Sequence, residues 1–214
     1  MLTFHDYLPS QNAWKVRQLL HHLQRPHRTR YVGIFTGEGR REAFLRLSPT
    51  GTVPAIELDD GRALAESNAI LCFLADGTRY LPGNAFGRAK VWQWLSFEQE
   101  RIESQVGALR HWTLTGKLAW RAPALVEAKR NGALRALEIL DAQFARREFI
   151  AGDDYTVADI ALFAYASRAD EADGLSLRPH AHLRGWIERV RAQPRFLDET
   201  FGYSVDPHSA NELP

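Results

Sequence analysis

The sequence predicts a small α/β domain followed by an all-α domain. Three observations carry that expectation. Short alternating apolar runs and single helical faces alternate only over residues 1–77, in the order βαβ then ββα. A stretch rich in turn residues, 78–87, interrupts the pattern with Pro82, Gly83 and Gly87 and suits an interdomain linker. Beyond it, residues 88–214 hold long helix-compatible segments with widely spaced turn signals, as in a helical bundle.

Leu2 and Phe4 alternate as in a short strand, and Val16, Leu19, Leu20 and Leu23 then keep the i, i+3, i+4, i+7 spacing of an amphipathic helix. A second strand fits Arg30 to Ile34, and a weakly patterned segment bearing Phe44 and Leu47 runs into the turn Ser48-Pro49-Thr50-Gly51. Val53 to Leu58 and Arg62 to Ala65 read as strands of a hairpin closed through Asp59-Asp60-Gly61. Ala69, Ile70, Phe73 and Leu74 form the face of the next helix. These elements suffice for one four-stranded sheet flanked by helices. In the second half, helices are expected over Arg88 to Arg110, Ala124 to Arg147 and Thr156 to Arg168, with shorter ones at His180 to Ala192 and Pro194 to Thr200. His21 and His22, late in the first helix, are expected to face solvent.

The 27 Lys and Arg nearly cancel the 26 Asp and Glu, leaving a formal charge of +1, so no global field favours nucleic acid or an anionic membrane. Cys72 is the single cysteine, which excludes an internal disulfide and a multi-cysteine metal site; no metal constellation is expected. Cys72 lies among Leu71, Phe73 and Leu74, as a buried inert thiol would. No apolar run approaches the ~20 residues that span a bilayer, and a cytoplasmic protein is expected.

Two local patterns carry chemistry. Thr52-Val53-Pro54 puts a proline at a strand start. Either it is an ordinary strand-start proline, or its bond is cis and Val53 presents its backbone to a peptide-like ligand for strand-like pairing. Glu66-Ser67-Asn68-Ala69-Ile70 lies between a strand and a helix. Ser67 there is a plausible N-cap; the helix N-terminus also suits a carboxylate while Glu66 suits an ammonium, and an α-amino acid end carries both groups.

With Thr52-Val53-Pro54 twelve residues before Glu66-Ser67, inside a βαβ-ββα unit that precedes a helical half, the chain resembles the cytosolic glutathione S-transferases over about its whole length. Gly152-Asp153-Asp154-Tyr155-Thr156-Val157-Ala158-Asp159 is similar to that family's helical-domain signature and is physically a Thr-x-x-Asp capping box. The resemblance implies a thioredoxin-like first domain, glutathione as co-substrate, a homodimer and a small hydrophobic electrophile as second substrate. It places Thr52, Val53, Pro54, Glu66 and Ser67 on glutathione, although Thr52 stands where relatives often carry Lys. The glycine end needs a cation or polar donor, and of the two arginines in Gly37-Glu38-Gly39-Arg40-Arg41 the choice is Arg40, a solvated surface arginine being the alternative.

The thiol-activating position falls within Tyr7-Leu8-Pro9-Ser10-Gln11-Asn12. This segment is most similar to bacterial members in which a hydroxyl residue and an Asn two positions later share the role, which points to Ser10 and Asn12. Tyr7 ranks second, and an N-cap would also explain Ser10. Three activities fit: conjugation through a stabilised thiolate, glutathione-dependent disulfide or peroxide reduction, or a non-catalytic binding module built on the same fold.

Overall fold

Leu2–Asp6 forms β1, whose side chains are buried apart from Thr3, so it occupies the middle of a sheet. The computed structural model describes residues 1–213. Around β1, His27–Tyr31 forms β2, Ala55–Glu57 β3 and Ala63–Ala65 β4, in spatial order β2-β1-β3-β4. β1 pairs parallel with β2, opposing Phe4 to Thr29, and antiparallel with β3, opposing Phe4 to Ile56. β3 and β4 form the expected hairpin. The parallel β1–β2 pair requires a crossover, supplied by α1, Gln11–His22, which buries Ala13, Trp14, Val16, Leu19 and Leu20. α1 packs with α3, Ser67–Ala75, which contributes Ile70, Leu71 and Leu74. Burying each such Leu, Ile or Val is worth ~1.5–3 kcal/mol, so this layer fixes where the N-termini of both helices emerge. This is the thioredoxin-like arrangement of the expected βαβ-ββα unit.

Several boundaries differ from expectation. β2 spans His27–Tyr31 rather than Arg30 to Ile34, because it is an exposed edge strand and carries His, Arg and Thr. The apolar residues that suggested the later register turn inward after it: Val32 is buried, and Ile34–Thr36 forms a 3₁₀ turn. The weakly patterned stretch holds a second 3₁₀ turn, Glu38–Arg40, and a single helical turn α2, Glu42–Leu45. Cys72 is partly exposed rather than buried.

The chain divides into two units, Met1–Asp76 together with the chain from Pro194 onward, and Gly77–Gln193. The segment from Pro194 was expected within the helical half, beginning with a helix to Thr200. Instead it forms no helix over Pro194 to Thr200 and runs along α1, with a 3₁₀ turn further on at Tyr203–Val205. Gln18 Nε2 donates to the Arg195 carbonyl at 3.2 Å, the Leu197 amide donates to Gln18 Oε1 at 2.8 Å, and His22 Nδ1 lies 3.0 Å from the Pro194 carbonyl. Arg195 has a positive φ of 62°, which ends any helical turn there. His22 is therefore buried, contrary to expectation, whereas His21 stays exposed.

The helical unit contains α4, Ala85–Phe97, α5, Ala108–Leu114, α6, Pro123–Phe144, α7, Val157–Ala166, and α8, Ala181–Arg191. α4 begins inside the stretch expected as linker, capped by Asn84, whose Oδ1 accepts from the Gly87 amide at 2.7 Å. α4 and α5 are joined by ten residues of wider π-helical turns, Glu98–Gly107. The unit is centred on α7, of which only Tyr165 among its ten residues is not buried. The predicted capping box is present. Thr156 Oγ1 accepts from the Ala158 amide at 3.3 Å, and Asp159 Oδ2 accepts from the Thr156 amide at 3.0 Å and its hydroxyl at 3.1 Å. Asp159 Oδ1 accepts from the Ile150 amide at 2.9 Å and the Trp186 indole at 3.0 Å. Trp186 stacks on Phe144 with ring centroids 4.5 Å apart. Among the described residues no helix is long and apolar enough to cross a membrane.

Candidate active site

The loop between β1 and α1 is anchored from behind. Arg17, one and a half turns into α1, donates from Nη2 to the Leu8 carbonyl at 2.8 Å, and its Nε lies 3.7 Å from the buried Asp6 carboxylate. Burial pushes the Asp6 carboxyl above its usual range, and the Arg17 charge opposes that rise. The loop thereby presents Ser10 as the N-cap of α1, its Oγ accepting from the Ala13 amide at 3.2 Å. Capping uses only the acceptor side of the hydroxyl, so Ser10 keeps an O–H to donate. It does so beside the partial positive charge of a twelve-residue helix.

Ser10 shares a cavity of about 170 Å³ with Asn12, Arg40, Thr52 and Val53. Ile34, Gly39, Gly51 and Leu213 complete its lining. Residues drawn from four separate stretches of the first unit thus meet. Ser67 joins them, its Oγ donating to Asn12 Oδ1 at 3.3 Å. This bond holds the Asn12 carbonyl oxygen toward α3.

Ser67 is not the N-cap of α3. That position belongs to Glu66, which makes no side-chain capping bond and holds φ 69°, ψ 115°. Ser67 is the first helical residue, and its buried hydroxyl is left for Asn12. A non-glycine residue at positive φ costs ~1–3 kcal/mol and persists where its surroundings over-determine it; here the strain throws the exposed Glu66 side chain outward at the mouth of the α3 N-terminus. The Val53–Pro54 bond is cis, as one reading of the strand-start proline required. Thr52 is tied down by its carbonyl, which accepts from Ser48 Oγ at 2.8 Å, and by its hydroxyl, 2.7 Å from that of Thr50. Arg40 Nη1 donates to the Thr50 carbonyl at 3.1 Å.

Tyr7 is otherwise engaged. Its phenol is buried and donates to Asp206 Oδ2 at 2.8 Å. Burial and the Asp206 carboxylate both raise its pKa well above the ordinary value, so it holds its proton firmly. It also belongs to the apolar cluster with Val32, Phe35, Phe44, Val53 and Ala55 that backs the cavity.

Four participants escaped the sequence. Gly39 and Gly51 bring two loops into backbone contact: a Cβ on Gly39 would overlap the Gly51 carbonyl, and one on Gly51, already at φ 69°, would lie 2.7 Å from the Gly39 carbonyl. The turn residues around them were legible, but not their mutual approach. Gly39→Ala is therefore expected to lower stability by about 1–3 kcal/mol, as overpacking does, measurable as a lower thermal midpoint; an unchanged midpoint would show that the loops separate freely. Asp206 and Leu213 come from the tail, where nothing local marks them.

Residues 9–76 match the family model described as glutathione S-transferase, N-terminal domain, and residues 109–194 match glutathione S-transferase, C-terminal domain. The chain is 31% identical over 187 residues to glutathione S-transferase 3 of Zea mays, covering 82% of each protein. It is 27% identical over 195 residues to the disulfide-bond oxidoreductase YfcG of Escherichia coli strain K12, covering 88% of this chain and 89% of that one. A solved glutathione S-transferase from Pseudomonas fluorescens Pf-5 superposes with a TM-score of 0.87 at 35% identity, covering 92% of this chain and 97% of its own.

Proposed function

The chain belongs to the cytosolic glutathione S-transferase family, and on that footing we propose that it binds glutathione in the cavity of the first domain and stabilises its thiolate for attack on an electrophilic, hydrophobic small molecule. The observation that supports this is the convergence of Ser10, Asn12, Arg40, Thr52 and Val53 on one cavity, with Ser67 hydrogen-bonded to Asn12. Val53 pairs with the cysteinyl backbone of glutathione beside Pro54. Glu66 takes its α-ammonium, Ser67 and the α3 N-terminus take the adjoining carboxylate, and Arg40 faces the glycine end.

A free thiol titrates near ~8.5, so lowering it by about two units requires ~2.7 kcal/mol of preferential anion stabilisation. Ser10 O–H, the Asn12 NH₂ and the α1 N-terminus supply it. The thiolate then forms a carbon–sulfur bond as the leaving group departs with its electron pair. Catalysis comes from thiolate stabilisation and proximity, without a covalent enzyme intermediate. A cytoplasmic homodimer is the form typical of the family.

The similarity to YfcG favours a second reading, reduction of a disulfide by glutathione, which uses the same stabilised thiolate. Retention on immobilised glutathione, followed by assays with an aryl halide and with a small disulfide, separates the readings. Aryl halide turnover supports conjugation, disulfide turnover alone supports the second reading, and retention without turnover reduces the protein to a binding module. No retention removes the proposed ligand.

Glu66→Ala and Ser67→Ala are each expected to weaken glutathione binding by about 1–3 kcal/mol, the range for lost charge-assisted hydrogen bonds. Titration calorimetry would check this, and unchanged affinity in both variants would move the amino acid end elsewhere.

A further inference from the structure

His5 is a buried titratable group that the proposed chemistry does not use. It stands in β1 between Arg30 of β2 and Ala55 of β3 and is 1% exposed. Its side chain leaves the sheet on the side of Tyr7, opposite Phe4 and Asp6, and meets the Phe44 ring with centroids 5.8 Å apart. Neither ring nitrogen has a hydrogen-bond partner. The Glu57 carboxylate lies 3.8 Å from Nε2, beyond hydrogen-bond distance.

The charges around the ring are mixed. β2 brings Arg30, β3 brings Glu57, and the 3₁₀ turn before α2 brings Glu38, which pairs with Arg30 at 3.2 Å. On α2 Glu42 pairs with Arg46 at 3.0 Å, both exposed, and Arg41 before it is exposed; on β1 Tyr7 holds its proton. Burial first, and then the Arg30 charge, keep the His5 pKa below the ordinary value, while Glu57 and Glu38 pull the other way. The ring is therefore held neutral. A proton on it creates a buried cation with two N–H donors beneath Phe44, and only Nε2 has a carboxylate near it.

α2 is the neighbour best able to yield. A single helical turn does not sustain itself, and of the four residues Glu42–Leu45 only Phe44 is buried. Lifting Phe44 lets water reach the ring. It also disturbs the cavity, because Arg40 lines it from two positions before α2 and Val53 shares the apolar cluster of Phe44.

We propose that His5 is an acid-sensitive latch: a proton on its ring releases α2 and, with it, the Arg40 side of the cavity. The sign follows from burial. With α2 lifted the ring takes its proton at the ordinary histidine value, and with α2 in place only below it. The latch thus has its full strength above the ordinary value. Below it, each unit of pH favours release by up to about tenfold, the limit for one proton.

Hydrogen exchange tests the latch on the amides of Phe44 and Leu45, which donate to the Arg41 carbonyl, and of Leu47 and Ser48, which donate to that of Phe44. In the parent their protection, corrected for the intrinsic pH dependence of exchange, is expected to fall about three- to tenfold from about pH 6.5 to about pH 5.5. His5→Leu and His5→Gln cannot titrate and should stay flat. Circular dichroism melts establish that each variant folds, and either one suffices for the comparison. Flat protection in the parent, or an equal fall in the variants, overturns the latch. Its effect on binding rests on the proposed glutathione site. From about pH 7.5 to about pH 5.5 the parent's glutathione affinity should fall about threefold more than that of either variant, since apparent affinity scales with the closed fraction. Equal falls overturn the link between α2 and the cavity. If no chain binds glutathione at either pH, the proposed function fails, and the exchange result still decides the latch.

Discussion

Asp159→Ala is expected to cost about 3–5 kcal/mol of folding stability, as when one partner of a buried charged network is removed. The side chain is fully buried and accepts from four donors: the Ile150 and Thr156 amides, the Thr156 hydroxyl and the Trp186 indole. Removing the carboxylate leaves all four in an apolar interior. Asp159→Asn is expected to be little better, since its NH₂ sets a donor against donors. Total stabilities are typically 5–15 kcal/mol, so either change consumes a large share, and urea unfolding measures it directly. The pH dependence has a definite sign. Burial outweighs the four hydrogen bonds and pushes the Asp159 carboxyl up from 3.8 to about 6. The folded chain therefore holds a proton that the unfolded chain has lost between these values. This group's contribution to stability is fully present below the lower value and falls as pH rises through the upper one. Asp159→Asn should lose that part of the pH slope. A loss below ~1 kcal/mol in Asp159→Ala would show that the network is dispensable.

Asp159 also shows which features were legible in advance. The capping box reads directly from Thr156 and Asp159 because its bonds span three residues, and α1 and α3 read from apolar spacing because their burial is one-sided. What links Asp159 to Ile150 and Trp186 is tertiary, and no spacing announces it. β2 lies earlier than the apolar pattern suggests because an edge strand with exposed Arg28, Thr29 and Arg30 lacks the apolar alternation that marks a strand, while the apolar residues after it serve the core from a turn. The Val53-Pro54 and Glu66-Ser67 patterns are legible as local sequence, whereas the Ser67–Asn12 bond, which spans 55 positions, is not. The tail was least legible. Its order depends on Tyr203, Asp206 and the α1 side chains Gln18 and His22, so a polar, proline-bearing segment gave no sign of where it docks.

Ser10→Ala is expected to lower turnover at neutral pH by about 10²-fold, the lower end of what removing one preorganised anion donor costs, while glutathione affinity changes little. The division follows from the chemistry. A hydroxyl donor interacts weakly with a neutral thiol and strongly with a thiolate, so on the proposed role the loss of the Ser10 hydroxyl falls on the anion and on the transition state derived from it. The bound thiol's pKa rises, and the deficit shrinks as pH rises, because solvent then removes the proton unaided. The Ala variant should approach the parent once pH passes the raised value. Capping complicates the reading, since Ser10 Oγ also accepts from the Ala13 amide and its loss costs ~1 kcal/mol of stability. A capping defect lowers the melting point without moving the thiol's pKa, so titrating thiolate absorbance separates the two roles. Asn12 lies in the same cavity and is oriented by Ser67. Where Asn12 shares the load, each single variant is partly impaired and the double variant loses more than either, with the coupling read from a double-mutant cycle. Tyr7→Phe is the decisive comparison. Its phenol is committed to Asp206, so the bound thiol's pKa should stay where it is. A shift in Tyr7→Phe together with none in Ser10→Ala would transfer the activating role to Tyr7.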